Sequence, residues 1–257
     1  LIFKEITSDD LDKIIDKLHT KTSSGVDGVS TKLLKFVKDV LLLPLTITIN
    51  QSLRTGIFPD LLKIAKVIPL YKKNEDIFLS NYRPISLLTS ISKTFERVMF
   101  NQIYTFFHTH KLLLKSQYGF RKGHSTEFAT LELIENILND VDKGDVPVAI
   151  FLDLSRAFDT LDHSVLLYKL NYYGVQDTAL TLIESYITER QQFVEYDGHK
   201  SNMIMLKTGV PQGSILGPLL FLIYMNDIAF SSDKMKFILY ADDTTISSTL
   251  RFVMVVS

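Results

Sequence analysis

The sequence predicts an α+β fold in which helices pack against an antiparallel sheet. Helical apolar patterns dominate the first 145 residues, whereas the second half alternates a strand, helices, a hairpin, a helix and a second hairpin. Hydrophobic residues make up 46% and charged residues 22% of the 257 residues. This composition is typical of a packed globular protein rather than a disordered chain.

In the first half, the apolar spacing predicts four helices and one strand. The helices are expected to begin at Ser8, at Ser30, near Ser90 and near Ser125, each serine preceding an apolar helical repeat. Pro44 is expected to interrupt the second helix, because proline lacks the N–H that a helix interior needs. The fourth helix is expected to turn one apolar face inward, formed by Phe128, Leu131, Ile134 and Leu138. The strand is Val67–Tyr71, which leads into a Lys72-Lys73-Asn74 loop.

In the second half, Val146–Leu154 is a nearly continuous apolar run, which predicts a buried strand. Helical patterns follow between His163 and Arg190. Residues 192–207 then alternate around Asp197-Gly198, a strong hairpin signal. The remaining elements are a buried helix over residues 213–229 and two short strands around a turn over residues 236–248.

Composition excludes several classes of protein. The chain has no cysteine, so disulfides and thiolate zinc sites are excluded, and nothing indicates secretion. Two apolar runs, Val40–Ile49 and Ile215–Met225, fall short of the roughly 18 residues that a membrane-spanning helix needs. We therefore expect an intracellular protein with no membrane segment.

Charge is distributed unevenly although the net charge is only −1. Residues 61–122 contain eleven lysines or arginines against three acidic residues, whereas the remainder is acidic. For any single lysine, a solvated surface position is the better explanation. A basic segment facing an acidic one nevertheless suits a protein that binds a polyanion on one side and metal cations on the other.

Two groups of carboxylates stand out against their apolar surroundings. Asp153 ends the predicted buried strand, and Asp242-Asp243 lie in a turn between two apolar strands. An isolated aspartate could be explained by a salt bridge or a helix cap. The adjacent pair Asp9-Asp10 is explained by the first turn of a helix, where the helix dipole favours negative charge, but no helix begins at Asp242.

Three carboxylates at strand ends suit hard divalent cations. Two ions about 3.5–4 Å apart would stabilise the attacking and leaving oxygens of a phosphoryl transfer. A metal-dependent phosphohydrolase would carry a similar pattern, so spacing alone leaves the reaction open.

Five motifs in order resemble those of reverse transcriptases. Tyr240-Ala241-Asp242-Asp243 is similar to the Tyr-x-Asp-Asp box, residues 151–159 to the first aspartate motif, and residues 209–218 to the box between them. Upstream, residues 81–88 and 117–121 resemble the fingers motifs of the non-long-terminal-repeat, jockey-like branch. The resemblance extends from about residue 5 to 249, and Ser24–Gly28 also has a counterpart in this branch.

The resemblance implies a right-hand polymerase fold, with an N-terminal extension and helical fingers in residues 1–145 and a palm in residues 146–257. After Ser248 the sequence resembles neither a primer-gripping hairpin nor a thumb. We therefore expect a polymerase fragment without a thumb. The alternative function is that of a catalytically inactive, nucleic-acid-binding remnant of such an element.

The resemblance also assigns roles to individual residues. The catalytic and metal-ligating set would be Asp153, Asp242 and Asp243, binding two Mg²⁺ ions with Mn²⁺ as a possible substitute. Phe158 would exclude a ribose 2′-hydroxyl, although an ordinary core phenylalanine is the alternative. Nucleotide contacts would come from Arg83, Lys72, Lys73, Gln212 and Gly213. Lys66 and Arg121 are candidates for template contacts, or equally for solvated charges.

The implied reaction is primer extension with deoxynucleotides on an RNA template. The expected partners are thus an RNA template, a DNA primer and dNTPs. Asp162 is more simply explained as a helix N-cap, and His163 as a polar residue of the first turn.

Overall fold

A computed structural model describes residues 1–73, 75–154 and 156–250, with the side chain of Leu250 excluded. Three parts of the sequence predictions fall outside the described residues. These are Asn74 of the predicted lysine loop, Ser155 of the first aspartate motif, and the segment 251–257.

The described helices begin at polar residues in most cases. Thr7 caps the first helix through its hydroxyl, while Ser30, Thr89, Ser125 and Asp162 accept N–H bonds at the starts of later ones. The helices are α1 (Ser8–Lys17), α2 (Thr31–Phe36), α3 (Lys38–Thr55), α4 (Ser90–Thr109), α5 (Thr126–Asp142), α6 (His163–Tyr172), α7 (Asp177–Ile187) and α8 (Gly217–Met225).

The strands form two sheets. They are β1 (Ile64–Tyr71), β2 (Tyr82–Leu87), β3 (Val146–Asp153), β4 (Gln191–Tyr196), β5 (His199–Lys200), β6 (Ile204–Met205), β7 (Lys236–Tyr240) and β8 (Asp243–Leu250). The larger sheet has the order β2-β1-β4-β5, with β6 paired to β4, and the smaller has the order β3-β8-β7.

The larger sheet differs from the antiparallel sheet predicted for the second half because it also contains strands of the first half. β1 pairs with β4 in parallel, while β1 pairs with β2 antiparallel, so this sheet is mixed. Local sequence could not reveal the pairing, because β1 and β4 are separated by more than 100 residues. The smaller sheet is antiparallel throughout, as predicted.

A single hydrophobic core joins the helices of both halves. Leu11, Ile49 and Ile103 from the first half are almost completely buried in the same cluster as Leu166 and Leu220 from the second. The predicted fingers (1–145) and palm (146–257) therefore share one core. The boundary between them at residue 145 stays a prediction.

Two predicted burials are wrong. The β3 side chains are largely exposed, with Phe151 71% and Ile150 53% accessible, and on α5 Phe128, Leu131, Ile134 and Leu138 are also exposed. The reason is position: β3 lies at the edge of its sheet, and among the described elements α5 makes its main contacts with β3 and β7. An apolar pattern indicates which face is suited to burial but not whether another element covers it.

The predicted helix break at Pro44 is also wrong. Pro44 lies inside α3, and the helical run is broken instead at Val37, whose φ of −102° and ψ of 9° depart from helical values. Thr46, Ile49 and Leu53 of α3 are buried, so tertiary packing outweighs the local cost of proline.

Other predicted elements are confirmed. The Asp197-Gly198 turn has φ of +46° and +76° and joins β4 to β5, as expected for a two-residue hairpin. The helix predicted over residues 213–229 is α8, which is shorter and spans Gly217–Met225. Residues 211–216 before it form a loop. Within the described part of the chain, no helix combines the length and apolar character required to cross a membrane.

Candidate active site

The register of the smaller sheet brings two of the predicted carboxylates together. Asp153, the last residue of β3, pairs across the antiparallel ladder with Asp243, the first residue of β8. Directly opposed residues point to the same face of a sheet. Alternation along β8 agrees, because Asp243 is exposed whereas Thr244 is 2% accessible.

Asp242 occupies the two-residue turn between β7 and β8. Tyr240 pairs with Asp243, so Ala241 and Asp242 alone form the connection. Ala241 has φ of +58°, a left-handed conformation that a residue with a Cβ adopts at a cost of about 1–2 kcal/mol. The turn is therefore strained at the residue before Asp242.

The segment 117–119 supports this strained turn. The buried Gln117 side-chain oxygen accepts the N–H of Ala241 at 3.2 Å and that of Gly119 at 2.9 Å. Gly119 lies so close that a Cβ added to it would be 2.0 Å from the Ala241 nitrogen. Tyr118 N–H donates to Leu239 O, which extends the contact onto β7.

A cavity of about 1250 Å³ opens beside the turn. Asp153 and Asp242 line it, whereas Asp243 does not. The other walls come from β1, β2, the segment between them, β4, the segment after β3 and the loop before α8. Their predicted site residues are Lys72, Arg83, Phe158 and Gln212.

Gln212 belongs to the loop 209–216, which we call the Gln212 loop. The side-chain Nε2 of Gln212 donates to Asp159 Oδ1 at 3.0 Å, and the backbone carbonyl oxygen of Gln212 accepts the Ser86 N–H at 2.7 Å. Gly213 has φ of +114°, and a Cβ there would lie 2.8 Å from Ser86 O. Glycine is thus required for the close approach of this loop to β2, but Gly213 itself does not line the cavity.

The start of the Gln212 loop is fixed by the segment after β3. Gly209 N–H donates to Leu161 O at 2.7 Å, and Val210 N–H to Phe158 O at 2.9 Å. The ring Nε2 of His163 lies 2.8 Å from Gly209 O. His163 therefore contacts the loop from the first turn of α6, whereas Asp162 caps that helix as predicted.

Phe158 is both a packed residue and a wall of the cavity. Its ring lies 4.8 Å from that of Phe221 on α8 and 6.0 Å from that of Phe120. Phe158 therefore packs in the core and also borders the cavity, and its predicted exclusion of a 2′-hydroxyl stays a prediction.

The basic residues divide between the cavity wall and other surfaces. Lys72 and Arg83 line the cavity, whereas the neighbouring Lys73 does not. Arg156, which falls within the first aspartate motif but has no role predicted from it, also lines the cavity. Its φ of +55°, unusual for a residue with a Cβ, has no signature in the sequence alone.

Neither candidate for a template contact has a free side chain. Lys66 Nζ lies 3.2 Å from Glu195 Oε1. Arg121 Nη1 donates to the carbonyl oxygens of Leu114 and Gln117 at 2.7 and 3.1 Å. Arg121 thus holds the segment that supports the Ala241 turn.

The donor set of the cavity fits a divalent cation. Among the described residues, no group of three or more His, Asp or Glu side chains converges as a complete protein cage. Mg²⁺ commonly binds through one or two carboxylates, with substrate phosphates and water as the other ligands. Asp153 and Asp242 provide such a partial set in the open cavity.

A buried acidic residue beneath the site was missed by sequence analysis. Glu96 is 0% accessible, and its Oε2 accepts the N–H of Ile215 at 2.5 Å. The available signal was its position on α4, where an acidic residue falls among buried residues such as Phe95 and Met99.

The chain is similar to curated RNA-directed DNA polymerases over almost its whole length. The probable RNA-directed DNA polymerase from transposon BS of Drosophila melanogaster is 33% identical over 260 residues, covering 96% of this chain and 28% of that protein. The RNA-directed DNA polymerase from mobile element jockey of the same organism is 30% identical, covering 97% of this chain and 28% of that protein. The chain thus spans about 28% of the length of these relatives.

A solved structure shares the fold. Apo telomerase from Candida tropicalis, truncated from the C-terminal domain, superposes with a TM-score of 0.51 at 14% identity, covering 86% of this chain and 50% of that chain. The family model described as reverse transcriptase (RNA-dependent DNA polymerase) matches residues 71–252. Reverse transcriptases generally use divalent metal ions. With the family model matching most of its length, this chain belongs to the reverse transcriptase family.

Proposed function

We propose that this chain is the polymerase region of a non-long-terminal-repeat retrotransposon protein and extends a DNA primer with dNTPs on an RNA template. The observation that supports this most directly is the shared cavity. Asp153 and Asp242 line it together with Lys72, Arg83 and Gln212, so acidic and basic groups face one space large enough for a nucleotide.

The basic residues would bind the triphosphate. Arg83 is exposed and presents a planar guanidinium that can donate two parallel hydrogen bonds to phosphate oxygens. Lys72 offers a point charge on the same wall. Lys73, which lies outside the cavity lining, is the weaker of the two lysine candidates.

The opposite side of the cavity would orient the nucleoside. Gln212 is held by Asp159 and by the Ser86 N–H, so its position is fixed before the nucleotide arrives. The ring of Phe158 packs against that of Phe221. From this position Phe158 would leave no room for the 2′-hydroxyl of a ribonucleotide. These contacts would place the α-phosphorus in line with the primer 3′-hydroxyl.

Asp153 and Asp242 would hold Mg²⁺, or Mn²⁺ in its place, with Asp243 adding a third carboxylate at the same strand end. When bound, a pair of such ions supplies charge neutralisation at the attacking and leaving oxygens. The protein would contribute the placement of these carboxylates. That placement depends on the β3–β8 register and on the Ala241 turn.

The template–primer duplex would be recognised by shape and by its phosphates. An A-form RNA–DNA hybrid offers a shallow minor groove and a regular backbone, and the basic segment 61–122 would contact that backbone. Because these substrates are intracellular, we propose that the protein acts inside the cell.

Primer extension tests this function. The chain is offered poly(rA), an oligo(dT) primer, labelled dTTP and Mg²⁺, alongside an Asp242→Ala, Asp243→Ala double variant and a Lys73→Ala variant. We expect extension by the parent and by Lys73→Ala, but none by the double variant. Folded parent protein that does not extend the primer would refute the proposal, leaving an inactive nucleic-acid-binding remnant. Cleavage of nucleic acid without a primer would instead indicate a phosphohydrolase.

A further inference from the structure

Glu96 is a fully buried carboxylate that the proposed reaction does not use directly. It lies on α4 at 0% accessibility, one helical turn after Ser92, whose hydroxyl lies 3.4 Å from Oε1. Removing a carboxylate from water is costly unless hydrogen bonds and opposite charge compensate it. The compensating groups therefore show which parts of the protein depend on Glu96.

The first compensating groups are two backbone N–H groups of the Gln212 loop. Oε2 of Glu96 accepts the N–H of Ile215 at 2.5 Å and lies 3.4 Å from that of Leu216. These residues immediately precede α8, whose N-cap Leu216 has no side chain able to cap the helix. Glu96 thus holds the two residues that lead into α8, whereas Ser214 Oγ accepts the first N–H of the helix, from Gly217, at 3.0 Å. A negative charge is favoured at this end of a helix by the helix dipole.

Arg190, which is 1% accessible, is a buried cation that acts on Glu96 electrostatically, although no ion pair joins the two side chains among the described residues. Its guanidinium lies over the Tyr186 ring at 4.8 Å, and Nη1 donates to the Tyr186 carbonyl oxygen at 2.9 Å. Within the described part of the chain, Nε and Nη2 of Arg190 have no hydrogen-bond partner. Burial raises the pKa of Glu96, while Arg190 and the two N–H groups oppose that rise.

These contacts complete the attachment of the Gln212 loop. The segment 158–163 fixes its start through Gly209 and Val210, Ser86 and Asp159 hold Gln212, and Glu96 fixes its end. Ile215 is three residues from Gln212, so release of the end would let the nucleotide-facing residue move.

We propose that Glu96, through its contacts with the Ile215 and Leu216 N–H groups, is a positioning residue that holds the Gln212 loop in its nucleotide-binding conformation. This inference rests on the proposed polymerase function, because its effect on kinetics is defined for the incoming dNTP. Glu96 is not among the residues that line the cavity, so its proposed effect on the nucleotide is transmitted through the loop.

The test compares Glu96→Gln, Glu96→Ala and the double variant Glu96→Leu, Arg190→Met. The double variant removes both buried charges, so that neither is left uncompensated in the core, and its thermal midpoint shows whether the fold is kept while the attachment is lost. The matched control is Asp140→Asn, which neutralises another buried carboxylate, 7% accessible and 3.5 Å from Lys236 Nζ. Lys236 lies at the end of β7 remote from the Ala241 turn.

For Glu96→Ala and the double variant, we expect KM for dTTP in primer extension to rise about tenfold, the effect of losing one hydrogen bond to a charged group. We expect kcat to fall much less. Glu96→Gln, which retains an acceptor oxygen, should show a smaller rise, and Asp140→Asn none. A double variant with the parent's thermal midpoint and an unchanged KM would overturn the proposal.

Hydrogen exchange at the Ile215 and Leu216 amides separates this inference from the polymerase proposal. We expect faster exchange at both amides in Glu96→Ala and parent-like exchange in Asp140→Asn, whether or not the protein extends a primer. Unchanged exchange in Glu96→Ala would overturn the positioning role. Absence of extension by the parent would bear only on the proposed function.

Discussion

Asp153 lies directly opposite Asp243 in the antiparallel ladder that joins β3 to β8. Like charges at opposed positions destabilise a sheet. Among the described residues, no lysine, arginine or histidine forms an ion pair with either carboxylate. The fold therefore contains an unfavourable pair at the position where the proposed reaction requires bound cations, as expected of a functional site.

The first prediction is that divalent metal stabilises the protein through this pair. Mg²⁺ should raise the midpoint of thermal unfolding, because binding to the folded state alone shifts the equilibrium. Asp153→Asn and Asp243→Asn should each raise the metal-free stability by about 0.2–1 kcal/mol and reduce the response to Mg²⁺. Calorimetry with EDTA and with excess Mg²⁺ measures both effects.

The control for the metal prediction is Asp9→Asn. Asp9 is also next to another aspartate, but it lies in the first turn of α1. This variant should respond to Mg²⁺ as the parent does. Equal responses in Asp153→Asn and the parent would contradict a role for Asp153 in metal binding.

The second prediction concerns the support of the Ala241 turn. Gly119→Ala would place a Cβ 2.0 Å from the Ala241 nitrogen, so the backbone of one segment must move. We expect a loss of about 1–3 kcal/mol of stability and loss of primer extension at temperatures where the variant is folded.

Gly123→Ala is the matched control for Gly119. Gly123 has φ of +78°, but nothing lies within 4 Å of an added Cβ. This variant should cost about 1–2 kcal/mol from backbone strain and should retain activity. Equal activity losses in the two variants would show that general destabilisation, rather than displacement of Asp242, is responsible.

Sequence patterns predicted the elements that carry the site because the signals there are local. The Asp197-Gly198 hairpin, the β7–β8 hairpin and the Asp162 cap each depend on residues close together in the chain.

The failures all required knowledge of distant parts of the chain. The parallel pairing of β1 with β4, the exposure of the apolar β3 side chains and the continuation of α3 through Pro44 depend on tertiary packing. Glu96 was missed for the same reason, since its partners Ile215 and Leu216 lie 119 and 120 residues away.

The third prediction is that Phe158→Ala relaxes sugar selection. Removing the ring should open space on the cavity wall, so rUTP incorporation should rise relative to dTTP, by about tenfold or more if the 2′-hydroxyl is excluded sterically. Competition between the two nucleotides in primer extension gives the ratio. Phe120→Ala, which removes a ring that touches Phe158 from outside the cavity lining, should leave the ratio near that of the parent. Parent-like selectivity in Phe158→Ala would exclude the steric role.

The fourth prediction separates the basic residues by their position. Arg83→Ala and Lys72→Ala should each raise KM for dTTP about tenfold, because each removes a charged contact to phosphate from the cavity wall. Arg83→Lys should recover only part of this loss, since an ammonium group cannot donate the two parallel hydrogen bonds of a guanidinium. Lys73→Ala changes the neighbouring residue, which is equally charged but outside the cavity lining, and its KM should stay close to that of the parent. A rise in KM as large in Lys73→Ala as in Lys72→Ala would mean that overall positive charge, rather than the geometry of the cavity, determines nucleotide binding.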